Sequence, residues 1–162
     1  MSKKDTAQFW DTARSYLNHH LKVIRQVSSH TIDSYRDCLN SFIDYLERVE
    51  NVSRKKISFH NFEKEIIKRY QTWMITEQGL APKTCNLRLT AIRAFLEYAA
   101  QEYLWIMPVY TDACTIVGVK TTNHAIEYFE PNEMTALLAT PSGNNKTDRR
   151  NQMMLIFLYD TA

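Results

Sequence analysis

The sequence predicts an all-α fold. Only 3 Gly and 4 Pro occur among the 162 residues, too few for a turn-dense β fold, while 44% of the residues are hydrophobic and supply a core. Apolar residues also recur at intervals of three and four along most of the chain, which places them on one face of a helix. These observations predict a bundle of four to five helices, a linker, and the first helices of a truncated second domain.

Four helices are predicted in the bundle. The first covers residues 6–18, and the second begins after Ser28, whose side chain suits the N-cap position. The third covers residues 61–78, with Gly79 where a helix commonly ends. The fourth begins at Pro82, a favoured first helical residue, and continues to about residue 103.

Each predicted helix has one apolar face. The residues assigned to these faces are Phe9, Ala13, Tyr16 and Leu17 in the first helix, Ile32, Tyr35, Leu39, Phe42, Ile43 and Leu46 in the second, Phe62, Ile66, Tyr70 and Trp73 in the third, and Cys85, Leu89, Ile92, Leu96, Ala99 and Tyr103 in the fourth. The second and fourth helices agree at an offset of 53 residues, which indicates either an internal duplication or a chance agreement between two amphipathic helices.

Helical spacing fails between Trp105 and Glu130, where Pro108 and Gly118 interrupt the pattern. A connection of about 25 residues is too long for a routine loop in a compact bundle. We therefore expect three regions, a bundle at 1–105, an interdomain linker at 106–130 and the start of a second domain at 131–162. Short helices are predicted at 131–139 and 148–162, with a turn at 141–145. Because the last helix is strongly apolar up to the chain end, we expect the chain to be the front part of a longer protein.

The net charge of +2 is small, but its distribution is uneven. Residues 51–70 carry six Lys or Arg and two Glu, a net charge of +4, whereas residues 31–50 carry two Arg and five acidic residues, a net charge of −3. Such asymmetry permits a one-sided contact with a polyanion. Solvated helix faces and a basic loop at 54–56 explain the same pattern equally well.

Several short motifs, in this order and spacing, resemble the tyrosine recombinase (phage integrase) family. They are Arg25, Ser28, Thr31, Tyr35, Leu39 and Phe42; Gly79 to Thr84 with Asn86, Leu89, Ile92, Arg93 and Phe95; Met107-Pro108; Phe129-Glu130-Pro131 with Glu133, Leu137 and Leu138; and Asp148-Arg149 before Leu155, Leu158, Tyr159 and Thr161. The resemblance covers residues 25–162 and implies that the bundle is the SAM-like, orthogonal core-binding domain of that family.

The resemblance also implies a chemistry for the full-length protein. The family cleaves and rejoins DNA through a phosphotyrosine, with two arginines, a lysine and a histidine around the scissile phosphate, because fixed cations stabilise the charge that develops there. None of these catalytic residues can be placed in this sequence, which ends at Thr161-Ala162, just before the first catalytic arginine is expected. We therefore expect this chain to bind duplex DNA weakly and to cleave nothing.

Opposite its apolar face, the fourth helix carries a polar stripe of Lys83, Asn86, Thr90, Arg93, Glu97 and Gln101. In the resemblance this helix faces a DNA groove, where Lys and Arg contact phosphates and Asn suits an adenine edge. Lys83, Asn86, Thr90 and Arg93 are therefore candidate DNA contacts. The alternative is an ordinary solvated stripe.

Ser29, His30 and Thr31 at the start of the second helix, and Lys120 in the linker, complete the candidate set. The first three offer backbone N–H groups and hydroxyls at the positive end of a helix dipole, where phosphates bind, although capping alone accounts for them equally well. Lys120 is placed to follow the DNA backbone if the protein wraps its duplex.

No other class of site is predicted. The three cysteines have no metal or disulfide spacing, the adjacent His19 and His20 point about 100° apart on a helix, and Gly-rich phosphate loops are absent. We therefore expect no metal, no cofactor and no membrane contact, and a cytoplasmic location. For the full-length protein, the resemblance implies self-association on DNA as a tetrameric synapse. The alternatives are a stand-alone helical DNA-binding regulator and a helical protein-interaction module.

Overall fold

The computed structural model describes residues 3–121, 129–141 and 144–161. Within these ranges the chain forms seven α-helices and no β-strand, which confirms the all-α prediction. Contacts between Cα atoms divide it into two compact units, Met1–Thr121 and Thr122–Ala162. The division falls inside the predicted linker. Parts of the predicted turn at 141–145 and of the predicted linker lie outside the described residues.

The helices of the first unit are α1 (Lys3–Ser15), α2 (Ser29–Arg48), α3 (Lys64–Thr76), α4 (Pro82–Glu102) and α5 (Met107–Cys114). A π-helical segment at Tyr16–Ile24 continues α1, and 3-10 turns occupy Arg54–Lys56, Phe59–Phe62 and Leu104–Ile106. The helices of the second unit are α6 (Pro131–Ala139) and α7 (Lys146–Thr161).

Two helix starts follow the sequence closely. The Ser28 hydroxyl accepts a hydrogen bond from the Thr31 N–H at 3.2 Å, so Ser28 is the N-cap of α2 as predicted. Ala81 has a similar backbone conformation before α4, with φ −59° and ψ 143° against −61° and 154° at Ser28, but offers no side-chain acceptor. Gly79 has φ +58°, a conformation that glycine adopts without a steric penalty, just after the end of α3.

Replacing Ala81 with serine should therefore stabilise the first unit. A hydroxyl at this position would accept a hydrogen bond from an unpaired N–H in the first turn of α4, and we expect a gain of about 0.5–1 kcal/mol in the free energy of unfolding. Urea titration measures it as a higher midpoint at an unchanged slope. Ser28→Ala, which removes the existing cap, should lower the same free energy by about 1 kcal/mol. An Ala81→Ser protein no more stable than the parent would contradict this reasoning.

Aromatic rings form the centre of the first unit's core. Phe95 of α4 is fully buried. Its ring centroid lies 5.5 Å from that of Tyr16 and 5.8 Å from that of Phe59. Phe9 and Phe62 are each 5.9 Å from it. Because these rings belong to α1, the π-helical segment and the 3-10 turn before α3, one side chain of α4 connects three separate parts of the chain.

The three tryptophans lie at the edge of this core. Trp10 and Trp73 are half-buried against it. Trp105 is 46% exposed, with its ring 5.9 Å from that of Phe59. All three therefore belong to the first unit.

Helices α2 and α4 have equivalent positions at the predicted offset. Their N-caps, Ser28 and Ala81, are 53 residues apart, and the helices contain 20 and 21 residues. The aligned residues Phe42 and Phe95 are both completely buried. The agreement extends to backbone and burial, while a common origin of the two helices stays a hypothesis.

Three parts of the first unit differ from the prediction. The helix at residue 6 does not end at 18 but continues as π-helix to Ile24. Helix α5 lies within the segment expected to be irregular, because Pro108 occupies the first turn of a helix, where its missing N–H costs no hydrogen bond. The fully buried residues of α3 are Ile67, Tyr70 and Met74, whereas the predicted Ile66 and Trp73 are only half-buried against the core.

The buried face of α4 is wider than predicted. It includes Ala91, Phe95 and Ala100 in addition to most of the predicted residues. Tyr103 is the exception, because it follows the end of α4 in an extended conformation and is 36% exposed. Helix α4 is therefore the central helix of the bundle, and its exposed residues are mainly those of the polar stripe, together with Leu87.

The second unit consists of two helices with well-formed starts. Glu130 and Glu133 form a capping box at α6, and the side chain of Asn145 accepts the Asp148 N–H at 2.8 Å before α7. Neither helix contains a buried residue. In α7, Met153, Met154, Ile156, Phe157, Leu158 and Tyr159 are each at least 45% exposed. The two helices therefore have termini defined by local hydrogen bonds but no core of their own among the described residues.

Candidate nucleic-acid interface

The polar stripe of α4 exists as predicted, but its residues have different surroundings. Lys83 and Thr90 are exposed, whereas Asn86 and Arg93 are half-buried. The difference arises because the last residues of α5 and the chain that follows them lie along this side of α4. We call this segment, residues 113–119, the strap.

Asn86 is bonded to the end of the strap. Its side-chain Oδ1 accepts the Val119 N–H at 2.7 Å, and its Nδ2 donates to the Val119 carbonyl at 2.9 Å. The amide of Asn86 thus pairs with both polar backbone groups of one residue. A β-carbon on the neighbouring Gly118 would lie 2.8 Å from Asn86 Oδ1, closer than real contacts of this kind allow. Any larger residue at 118 would therefore displace the Asn86 amide from its present position.

Arg93 is bonded to the beginning of the strap. Its Nε donates to the Ala113 carbonyl at 3.0 Å, and a terminal nitrogen donates to the Ile116 carbonyl. Gln71 of α3 adds a third attachment, because its Nε2 donates to the Val117 carbonyl at 3.0 Å. Three side chains from two helices thus bond to backbone groups along the strap.

The order of these contacts gives the direction of the strap. Its first residues bond to Arg93 and its last to Asn86, so the strap runs antiparallel to α4, towards the N-terminus of that helix. Lys120 is the next residue and is exposed. Lys83 lies one helical turn before Asn86 in the same direction. The path of the strap therefore leads Lys120 towards Lys83.

The other candidates lie at the start of α2. Ser29 and His30 are exposed, and Thr31 is half-buried with its hydroxyl 2.9 Å from that of Ser28. The capping interpretation therefore holds for Ser28 and Thr31. The exposed backbone of the first turn is compatible with an anion as well.

Helix α2 runs antiparallel to α4. Tyr35 of α2 lines a cavity with Tyr98 of α4, whereas Cys38, further along α2, lies near Arg88, earlier in α4. Burial raises the pKa of the Cys38 thiol, and the guanidinium of Arg88 partly offsets this rise. Ser29 to Thr31 and the pair Lys83 and Lys120 consequently lie towards opposite ends of α4, which is roughly 30 Å long. The structure thus separates the candidate residues into two groups.

The cavity beside Tyr35 has a volume of about 220 Å³ and lies between the π-helical segment, α2 and α4. Burial raises the pKa of the Tyr16 phenol well above its ordinary value, and the neighbouring Tyr35 and Glu97 raise it further, while Arg25 lowers it. Tyr16 is therefore uncharged at neutral pH. The negative charge on this side of α4 comes from Glu97.

The uneven charge of the sequence is largely neutralised within the first unit. Arg54 forms ion pairs with Asp44 and, at 2.9 Å, with Glu47. Arg69 forms two hydrogen bonds to the Glu50 carboxylate, at 2.8 and 2.9 Å, which lower the pKa of that carboxyl group. The basic segment at 51–70 thus pairs with the acidic segment at 31–50. This pairing favours the structural interpretation of Arg54.

Sequence reasoning missed two residues of this region, Gln71 and Gly118. In the sequence, Gly118 interrupts the helical spacing, and a glycine in a segment without turn chemistry is also a signal of close backbone approach. Gln71 carries no such signal. Among the residues that the structure describes, no group of three or more His, Cys, Asp or Glu is placed to hold a metal ion.

A model of the phage integrase SAM-like domain family matches residues 3–112, more than half of the sequence. The chain belongs to this family. The match confirms the resemblance seen in the sequence motifs. The SAM-like domain covers α1 to α4 and most of α5, and the strap begins where the match ends.

Two curated relatives extend the similarity beyond the SAM-like domain. The chain is 34% identical over 147 residues to tyrosine recombinase XerD of Halalkalibacterium halodurans, which covers 89% of this chain and 46% of the relative. It is 29% identical over 143 residues to tyrosine recombinase XerC of Staphylococcus haemolyticus, which covers 88% of this chain and 44% of the relative. The chain thus spans about half the length of these relatives. No solved structure matches it. No helix in the described part of the chain has the length and apolar character needed to cross a membrane.

Proposed function

We propose that this chain is the DNA-binding, N-terminal part of a site-specific tyrosine recombinase or integrase. The observation that carries the proposal is the similarity to tyrosine recombinases over nearly nine-tenths of the chain, which covers less than half of each relative. In the full-length protein, DNA strands would be cleaved and rejoined through a phosphotyrosine. The SAM-like domain would hold the duplex and would extend through most of α5, past the boundary near residue 105 that the sequence predicts. A linker up to residue 130 and a catalytic domain from residue 131 would follow.

The exposed candidates fit phosphate contacts. Lys83 is exposed in the first turn of α4, Lys120 is exposed directly after the strap, and neither has an ion pair among the described residues. Thr90 adds an exposed hydroxyl two turns further along the helix. At the other end, Ser29 to Thr31 offer N–H groups at the start of α2. Two contact groups near opposite ends of one helix suit a double-helical ligand.

Asn86 and Arg93 can contact DNA only through the donors that their hydrogen bonds to the strap leave available. Each keeps donors that the strap does not use, because a guanidinium has five N–H donors and an amide nitrogen has two. DNA contact by these side chains therefore does not require the strap to leave. Readout of an adenine edge by Asn86 is restricted, since a bidentate contact needs both Oδ1 and Nδ2.

The chain by itself should bind duplex DNA and leave it intact. The nucleophilic tyrosine and its cations are assigned to the remainder of the recombinase, and none of the nine tyrosines lies in the required sequence context. For the full-length protein we propose a cytoplasmic location and assembly on DNA as a tetramer. Strand cleavage, or a covalent DNA adduct formed by this chain, would refute the assignment of DNA binding to this chain and of catalysis to the remainder of the recombinase.

Binding to duplex DNA should weaken steeply with salt. Each phosphate contact contributes about −0.9 to the slope of log affinity against log salt concentration. Lys83→Ala should reduce the magnitude of this slope by about 0.9 and the affinity by roughly tenfold at 0.1 M salt. Fluorescence anisotropy of a labelled duplex measures both quantities.

Lys55→Ala is the matched control for this experiment. It removes the same charge from an exposed lysine that lies beside α1, in the 3-10 turn at Arg54–Lys56. Its slope should equal that of the parent protein. Equal effects of the two substitutions would show that net charge alone determines binding. A flat salt plot, or no binding, would favour the helical protein-interaction module.

A further inference from the structure

The strap is attached in two different ways along its length. Its first half is held by side-chain burial, with Ala113 and Ile116 in the core of the first unit. Its second half is not held in this way, because the Val117 side chain is 83% exposed and Gly118 has no side chain to bury. Beyond Ile116, the attachment consists mainly of the hydrogen bonds from Gln71 and Asn86, with Val119 half-buried. These bonds determine where the chain goes after the core has ended.

We propose that Gln71, Asn86 and Arg93 are positioning residues that fix the strap along α4, so that Lys120 joins Lys83 in one cationic surface. The inference rests on the proposed function for its consequence, DNA binding, but its geometry can be tested without DNA. Gly118 belongs to this attachment, since a β-carbon at position 118 would push the Asn86 amide away from Val119. The chain leaving the SAM-like domain then starts from a fixed point.

The size of the effect follows from chain statistics. A flexible segment of four residues, from Ile116 to Lys120, has a root-mean-square extent of roughly 10–12 Å. Charges are screened over about 8 Å at physiological ionic strength. Without the attachments, Lys120 would therefore spend much of its time beyond the reach of a phosphate bound at Lys83. With them, both charges act on the same part of the ligand.

The first test uses hydrogen exchange at one amide. Asn86 Oδ1 accepts the Val119 N–H, so Asn86→Ala and Gly118→Ala should each accelerate exchange at Val119 at least tenfold, while amides in α2 keep their parent rates. Val117→Ala is the matched control in the strap, because the exposed side chain takes no part in the attachment. Unchanged exchange at Val119 in both Asn86→Ala and Gly118→Ala would overturn the proposal.

The second test measures the approach of the two lysines directly. A short amine-reactive cross-linker should join Lys83 to Lys120 in the parent protein, and Gly118→Ala should reduce the yield severalfold. Gly118→Ala changes neither lysine nor any other charge. The double variant Asn86→Ala/Gly118→Ala should give no lower a yield than either single variant, since both break the same contact. Equal yields in the parent and Gly118→Ala proteins would overturn the placement of Lys120.

The third test joins the geometry to DNA. Lys120→Ala should reduce the magnitude of the salt slope by about 0.9 in the parent protein and by much less in the Gly118→Ala background. An equal reduction of the slope in both backgrounds would show that the strap does not position Lys120. An unchanged slope for Lys120→Ala in the parent protein would show that Lys120 does not contact DNA. If no variant binds DNA, the proposed function fails, and exchange at Val119 together with cross-linking still decides the positioning role.

Discussion

Replacing Phe95 with alanine is expected to lower the free energy of unfolding of the SAM-like domain by about 3–5 kcal/mol. The side chain is fully buried, and its ring lies within 6 Å of four other aromatic rings from three other parts of the chain. Truncation would leave a cavity that separate elements cannot close without moving. Since domains of this size are stable by about 5–15 kcal/mol, such a loss is a large fraction of the total.

The matched control is Phe157→Ala, which makes the same chemical change on another helix. Phe157 of α7 is 65% exposed, so its removal should change the free energy of unfolding by no more than about 0.5 kcal/mol. Urea unfolding followed by far-ultraviolet circular dichroism, to which the helices of both units contribute, compares the two variants. A loss below about 1 kcal/mol for Phe95→Ala would show that the ring is not the centre of the core.

Amide hydrogens of α7 are expected to exchange at least about 10³-fold faster than those of the buried face of α4. Exchange in the core of a domain requires global unfolding, whereas a helix with few buried contacts opens locally at almost no cost in free energy. Helix α7 has no buried residue, while α4 has eight. Mass spectrometry or NMR on the intact chain measures the amides of Leu155 and Ile92 in one experiment.

The short helix α6 serves as an internal comparison, because it too has a side-chain hydrogen bond at its start and no buried residue. It should exchange as fast as α7. If α7 were instead protected as strongly as α4 through Tyr159, the apolar surface of that helix would be packed in this chain. Such a result would favour the stand-alone DNA-binding regulator over part of a recombinase.

Local signals predicted most of the helices correctly. The start of α2 follows from Ser28 and that of α4 from Pro82, because capping and the fixed backbone angle of proline act within one turn. Gly79 marked the end of α3 for the same reason. The central position of α4 was visible in its wide apolar face, although Phe95, its most extensively surrounded residue, was missing from the predicted core face. Here packing of rings from distant segments, not spacing along one helix, decided the outcome.

The surroundings of the candidate site were less predictable. Asn86 and Arg93 have the types and spacing of DNA-contacting residues, and this part of the prediction stays open. Their partners in the structure lie 33 and 20 residues further along the chain, and no pattern around residues 113–119 indicates these bonds. The ion pair between Arg54 and Glu47 could not be predicted from the sequence either, because opposite charges on neighbouring segments do not show which side chains form a pair.

The positions of the tryptophans determine what an optical experiment can detect. Because Trp10, Trp73 and Trp105 all belong to the first unit, tryptophan fluorescence, excited at a wavelength that tyrosine does not absorb, follows the environment of that unit alone. Far-ultraviolet circular dichroism, in contrast, includes the backbone of α6 and α7. A melting curve recorded by tryptophan fluorescence therefore does not report on the second unit. A difference between the transitions seen by fluorescence and by circular dichroism would show that the two units unfold independently.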